Sequence, residues 1–352
     1  MKTIMKTLLV SIASLSLMFS VNAGELTVSG SAKATYNFVN GAQNDNGIGV
    51  TNELNFTASG EMDNGYTWKY SMELDPSSSG TQGNTAGSAP GQAINDDTQI
   101  SLTMNDLGTL KFCVSECGNN KKYAWDQSSY TSMSDTGFSE GIVYPNDMGS
   151  FASIQYHSPE LPFGTTVSAA HGQQRKDGQS GNTTAASGDS ATEFSLVTKP
   201  IDGLTLSASF MEINSYDDGV QSDDQIEENG AYAVEYAAGN FSVGYGKSFK
   251  APQLTVANRA NGSTAAEYYE NTGYSLAYAI NDQISVSYTS EESEINYQTS
   301  STTAYDIEMD SIQVAYSLGG ATLSIARADY ENVSYKTNSD ATDTIVALSF
   351  AF

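Results

Sequence analysis

From Leu26 the chain alternates apolar and polar positions. Leu26, Val28, Gly30, Ala32, Ala34, Tyr36 and Phe38 share one parity, and Thr27, Ser29, Ser31, Lys33, Thr35 and Asn37 share the other. A period of two sustained over a dozen residues predicts a strand longer than most sandwich strands. The last residues behave alike: Thr344, Val346, Leu348, Phe350 and Phe352 oppose Asp343, Ala347, Ser349 and Ala351, with Ile345 as the one apolar exception. Between these ends the repeating unit is a hairpin with a short turn. Leu54, Phe56 and Ala58 run into Met62-Asp63-Asn64-Gly65, and Tyr66, Trp68, Tyr70 and Met72 leave it. Similar units centre on Asn105 to Gly108, Pro159 to Gly164, Pro200 to Gly203, Ala238 to Asn240, Asn281-Asp282 and Gly319-Gly320. Asn, Asp and Gly suit such turns because they tolerate positive φ.

Seven hairpins and the two terminal segments predict 16 strands. Long polar stretches separate the hairpins, near 40–49, 75–96, 115–150, 172–190, 212–229, 247–266, 290–305 and 331–342. Short turns thus alternate strictly with long loops, the asymmetry of a transmembrane antiparallel β-barrel with short periplasmic turns and long extracellular loops. Tyr66, Tyr156, Tyr236, Phe241, Tyr278, Tyr316 and Phe350 cluster beside the turns and read as an aromatic girdle. A propeller repeats over a similar length but needs four strands per blade. A lumen 16 strands around is too wide for side chains to fill, which predicts an aqueous channel. Lys2 and Lys6, the apolar run Leu8 to Val21 and the small residues before Gly24 form the pattern of a secretory signal peptide over residues 1–23, leaving 24–352 as the barrel.

Composition narrows the function. With 15 Lys+Arg against 41 Asp+Glu, the formal charge of −26 argues against a nucleic-acid partner, which would demand clustered bases. Two His and two Cys are too few for an all-protein zinc site, and nothing calls for a metal or another cofactor. The acids Asp217, Asp218, Asp223, Asp224, Glu227 and Glu228 crowd the fifth loop without EF-hand spacing and read as a solvated acidic loop. His157 and His171 flank one hairpin, but no nucleophile, base and orienting group assemble around them, so no enzyme is expected. A secreted surface or adhesin protein would have no use for the turn–loop asymmetry or for a terminal Phe352.

Three segments carry a family resemblance. Asp106-Leu107-Gly108-Thr109-Leu110-Lys111-Phe112 resembles the turn into the fifth strand of the Gram-negative trimeric porins, which have 16 strands. Gly149 to Pro159 resembles their sixth strand, and Leu348-Ser349-Phe350-Ala351-Phe352 resembles their C-terminal assembly signal, with Phe350 and Phe352 as its aromatic residues. The chain departs from the family at Cys113-Val114, where Gly and a basic residue are usual, and it lacks the usual acidic motif of the third loop. The resemblance implies the bacterial outer membrane, passive diffusion of ions and small hydrophilic solutes, and a homotrimer whose second loop latches a neighbour. It also implies dealings with outer-membrane lipid and the assembly machinery, and a third loop (about Ser115 to Gly149) folded into the lumen.

Parity places Lys33, Lys69 and Lys111 on the lumen side together with Glu53, Glu73, Glu193, Glu235 and Asp343. The third loop adds Glu116, Asp126, Asp135, Glu140 and Asp147 against Lys121 and Lys122. By resemblance, the basic wall is expected to face the acidic loop across a constriction. The acid excess predicts cation preference, weakened by salt. The alternative is that these charges merely solvate the lumen. Tyr123, Trp125, Tyr130 and Tyr144 keep open an aromatic track for sugars. Arg327 shares the outward parity of Leu323 and Ile325, near the strand's outer end, unless a bulge turns it inward. Cys113 and Cys117 would stand about 13 Å apart in extended chain, so a bond requires a turn after Val114. A disulfide bracing the loop base is the favoured reading, with two free thiols as the alternative.

Overall fold

The computed structural model describes residues 24–41, 47–76, 93–114, 117–128, 140–174, 190–214, 225–254, 265–298 and 302–352. The signal-peptide residues 1–23, the loop acids Glu116 and Asp135, Tyr130 and the four aspartates of the fifth loop lie outside them. The strands are β1 (Glu25–Gly41), β2 (Gly47–Glu61), β3 (Thr67–Pro76), β4 (Ala93–Thr103), β5 (Thr109–Cys113), β6 (Phe151–His157), β7 (Thr166–Gln174) and β8 (Ser190–Ile201). They continue as β9 (Leu204–Asn214), β10 (Glu227–Ala238), β11 (Phe241–Ala251), β12 (Ala266–Ala279), β13 (Ile284–Tyr297), β14 (Ile307–Ser317), β15 (Ala321–Glu331) and β16 (Ala341–Ala351). Each pairs with its sequence neighbours, and β1 closes on β16 through the antiparallel register Lys33↔Ser349 and Tyr36↔Val346. This is the predicted barrel of 16 strands.

Closure removes the sheet edges that lipid could not hydrogen-bond. The outward parity carries Leu26, Val28, Ile48, Ile100, Phe112, Ile154, Phe194 and Ile312, all exposed, as a face turned to hydrocarbon requires. Beside the short turns Phe241 stacks on Tyr278 with centroids 4.4 Å apart, and Tyr156, Tyr236, Tyr316 and Phe350 are exposed at the same level. Two turn glycines are obligatory. Gly108 has φ +86° and a Cβ there would lie 2.4 Å from the His157 carbonyl; Gly203 has φ +77° and would meet the Ala237 carbonyl at 2.2 Å. Arg327 does point outward. No register shift interrupts β15, and the guanidinium bonds Asp329 at 3.0 Å near the outer rim, where an outward base costs only about 0–1 kcal/mol.

Two features depart from the pattern of tilted strands around an open lumen. β5 holds five residues and β6 seven, short of the roughly 9–11 a tilted strand needs, because the chain leaves the wall at Cys113 and rejoins it at Phe151. Inside the barrel, an apolar cluster forms where water was expected. Ile142, Ile295, Ile307, Met309, Tyr330, Val333, Tyr335 and Ile345 bury one another against the inner faces of β12 to β16. Ile345, the exception to the alternation, is inward because the third and eighth loops fold onto that wall and give it an apolar partner.

Candidate functional site

Loop 3 enters the lumen as an outgoing limb, residues 117–128, and returns as residues 140–150. Cys113 and Cys117 are bonded, with Cα atoms 6.2 Å apart, so the chain turns where β5 ends. The Cys117 carbonyl accepts from Gln155 Nε2 at 2.8 Å, tying this turn to β6. Beyond it the outgoing limb bonds successive strands from the inside. Asn119 N–H donates to Glu193 of β8 at 2.9 Å, Lys121 N–H to Ser209 of β9 at 2.9 Å, and Gln127 N–H to Ser275 of β12 at 2.9 Å. The small polar residues read as lumen lining are thus partners for loop backbone. A buried N–H or carbonyl must find one, and inward Ser, Asn and Gln supply it without filling the space the loop needs.

The returning limb is held as firmly. Asn146 N–H donates to Asn229 of β10 at 2.9 Å, and Tyr144 donates its hydroxyl to Glu291 of β13 at 2.8 Å. The two limbs join through Lys122, which bonds the Pro145 carbonyl at 3.0 Å and Asp147 at 3.3 Å, and through Asn120 Nδ2 to the Asn146 carbonyl at 2.8 Å. Loop 8 closes over the start of the returning limb. Its Ser334 N–H donates to the Glu140 carbonyl at 2.9 Å, and the Tyr335 hydroxyl accepts from Val143 N–H at 3.2 Å. Asn332, Ser334 and Tyr335 all carry positive φ without being glycine, strain that the buried Val333 and Tyr335 contacts hold in place.

Among the described residues, the loop acids Asp126, Glu140 and Asp147 each have a partner or neighbour on the wall or within the loop. Asp126 Oδ1 accepts from Ser128 N–H of its own loop at 2.9 Å and, on the wall, from Thr289 at 3.3 Å and Ser275 at 3.4 Å. Burial pushes its carboxyl above the usual range, against the pull of those hydrogen bonds. Asp147 is taken by Lys122 and by Gly149 N–H, and Glu140 is buried beside Asp343 of β16. Asp126 and Asp147 thus help hold the loop, alongside its backbone hydrogen bonds to Ser209, Ser275 and Asn229. Lys69 and Lys111 do share one inner row, with Ser101 between them on β4, and Lys69 is exposed to the lumen. Glu53 accepts from Ser31 at 3.3 Å on the β1–β2 wall, and Lys33 and Glu73 stand on the inward parity of β1 and β3.

The aromatic residues are likewise structural. Trp125 is 4% exposed, wedged against β11 and β12, and its Nε1 donates to the Lys122 carbonyl at 3.0 Å. Tyr144 is half-buried, with its hydroxyl pushed well above the usual phenol range by burial and by Glu291, and Tyr123 packs edge-on against it at 5.0 Å. Trp125 therefore offers no face to a passing sugar, and the Tyr144 hydroxyl is committed to Glu291. Sequence reasoning missed the residues that receive the loop: Gln155, Ser209, Asn229, Asn271, Ser275 and the glycines under Trp125. One signal was available. Gly244, Gly246 and Gly273 sit inside strand patterns, where glycine marks close approach of another chain segment.

A closed 16-stranded barrel with a strand-to-strand excursion folded into its lumen is the frame of a diffusion channel, and a family profile described as Gram-negative porin matches residues 8–352. The chain belongs to the Gram-negative porin family. It is an outer-membrane channel for passive diffusion. Solved structures agree on the fold. This porin is 12% identical to OmpT of Vibrio cholerae in its trimer form, with a TM-score of 0.65 over 94% of this chain and 100% of that one. It is 13% identical to Salmonella typhi OmpF in complex with daunomycin, with a TM-score of 0.66 over 94% and 98%. A porin refined at 1.8 Å resolution is 17% identical, with a TM-score of 0.62 over 93% and 100%. No curated protein matches this porin by sequence.

Proposed function

We propose that this porin passes ions and small hydrophilic solutes through an off-centre lumen along the β1–β5 wall, with a general preference for cations. The observation that carries this reading is the placement of loop 3. Its hydrogen bonds run from β6 to β13, and Ile142 and Val143 of its returning limb pack with loop 8 against β12 to β16. The wall bearing Lys33, Glu53, Lys69, Glu73 and Lys111 then borders the open space. Cation preference rests on the overall acid excess, 41 carboxylates to 15 bases, acting at the mouths, where a negative field raises local cation concentration. The channel acts on its solutes by filtering, with no chemistry done on them. A sugar-specific channel is the lesser reading, since Trp125 and Tyr144 are committed to the wall.

Homotrimeric assembly is part of the proposal, supported by likeness to OmpT of Vibrio cholerae, whose structure is a trimer form. So is recognition of Phe350 and Phe352 by the assembly machinery, and a lipid-facing outer belt. The deciding experiment is single-channel recording of the full-length refolded protein in a planar bilayer under a salt gradient. Stepwise conductance with a cation-sided reversal potential supports the proposal. An anion-sided potential keeps the channel and overturns the charge reading, giving the selective role to Lys69 and Lys111. Silence from a folded, inserted protein overturns the open lumen.

A further inference from the structure

Three glycines form a slot in the inner wall, and one residue of loop 3 fills it. Gly244 and Gly246 lie on β11, and Gly273 of β12 is the register partner of Gly246. All three share the inward parity. A Cβ on Gly273 would stand 2.3 Å from Trp125 Cε2 and Cζ2, with only indole atoms among its nearest neighbours. On Gly246 it would meet the same side chain at 2.5 Å, from Cδ1. On Gly244 it would stand 1.8 Å from the Trp125 carbonyl oxygen, which is backbone. Real Cβ contacts of this kind do not occur, so any side chain at these positions displaces either the ring or the loop itself. The slot therefore admits the indole to the wall and brings the loop backbone into contact with β11. Trp125 also sits midway along the outgoing limb, between the Lys121–Ser209 and Gln127–Ser275 bonds.

We propose that the Gly244–Gly246–Gly273 slot and Trp125 act as the positioning pin that sets how far loop 3 projects into the lumen, and hence the size limit for solutes. The proposal rests on the channel reading and adds to it a named determinant of pore size. Hydrogen bonds from Asn119, Lys121 and Gln127 fix which strands the limb crosses, but they join flexible or rotatable groups. The pin is what fixes its height above the wall, because an indole sunk in a close-packed slot can neither rise nor slide without losing its contacts.

The slot chemistry makes a test with opposite outcomes at neighbouring glycines. Full-length protein carrying Gly273→Ala, Gly244→Ala, Trp125→Ala and the two double variants is recorded in planar bilayers. Each is also scored by liposome swelling with neutral saccharides of increasing size, after thermal and gel-mobility checks of folding. Gly273→Ala and Gly244→Ala are each expected to lower conductance and the size limit, by pushing the limb into the lumen. Adding Trp125→Ala restores the channel to Gly273→Ala, whose clash is with the ring alone. It does not restore Gly244→Ala, whose clash is with the carbonyl. A purely structural role for Trp125 would lower stability in every variant without this split. Wild-type conductance for folded Gly273→Ala overturns the proposal, as does rescue of both glycine variants or of neither. Should Gly244→Ala not insert, Trp125→Phe against Trp125→Ala carries the same decision: Phe keeps the size limit and Ala raises it, and equal limits overturn the pin. If the wild-type protein itself does not conduct, it is the channel reading that fails.

Discussion

Tyr335→Phe isolates one hydroxyl in a closed circuit of hydrogen bonds between loop 3, loop 8 and the wall. Ser293 Oγ donates to Asn271 Oδ1 at 2.5 Å, so its own proton is committed. The Tyr335 hydroxyl, 2.7 Å away, must then donate to Ser293, which leaves the phenol oxygen to accept from Val143 N–H at 3.2 Å. Asn271 Nδ2 returns the circuit to the Val143 carbonyl at 3.1 Å and reaches Ser248 at 3.1 Å. Removing the hydroxyl leaves the Val143 N–H without its partner, a cost of about 1–3 kcal/mol in a buried site. Since 1.4 kcal/mol is a factor of ten, the Val143 amide is expected to exchange roughly 10–100-fold faster. Hydrogen exchange on peptides covering 141–144, in micelles, reads this directly. Ser293→Ala is the control: it cuts the circuit but leaves the phenol oxygen facing Val143, so that amide stays protected. Unchanged protection in Tyr335→Phe, or equal deprotection by Ser293→Ala, would refute the circuit. Alkali offers a second route. Burial pushes the Tyr335 hydroxyl up to about 12, above its ordinary 10. A group raised in the folded state stabilises fully below its unfolded value and loses that contribution as pH climbs through the folded one. Resistance to denaturant should therefore fall from about pH 10 to about 12, and Tyr335→Phe should remove that part of the fall.

Reducing the Cys113–Cys117 bond, or replacing both by Ser, opens a small loop worth about 2 kcal/mol on the chain-entropy account; faster exchange at the loop base is expected, and thiols that alkylate before reduction would refute the bond. Asp126→Asn should leave the reversal potential unmoved because the carboxyl faces Ser275 and Thr289, while Lys111→Gln should shift it toward cations; a large shift from Asp126→Asn would return that acid to the pore. As burial raises the Asp126 value, docking of 126–128 should tighten as pH falls through the carboxylate range and weaken as it rises, and exchange corrected for intrinsic rates would expose the opposite sign. Arg327→Leu should change resistance to denaturant by no more than about 1 kcal/mol, and a larger gain would place that side chain deeper in hydrocarbon than its rim position.

The barrel was legible because its physics is local. Lipid on one side and a polar interior on the other impose a period of two along each strand, and short turns demand Asn, Asp or Gly, so strand count, turn positions and the outward face can be read residue by residue. The inward face was legible only as a parity. Ser209, Ser275 and Asn229 read as residues wetted by a channel, and the folded chain uses them to receive loop 3. Asp126, Glu140 and Asp147 read as a charged constriction, and the folded chain spends them on the wall, on Asp343 and on Lys122.

Sequence by itself therefore determined the barrel, its 16 strands, its outward face and the family to which it points. Only the tertiary structure decided what fills the lumen. A side chain on the inward parity is polar whether it meets water, an ion or another segment's backbone, and the alternation is the same in each case. Which of these it meets depends on contacts across many strands, such as Trp125 in its glycine slot or Val143 beneath Tyr335, and no periodicity within one strand records them.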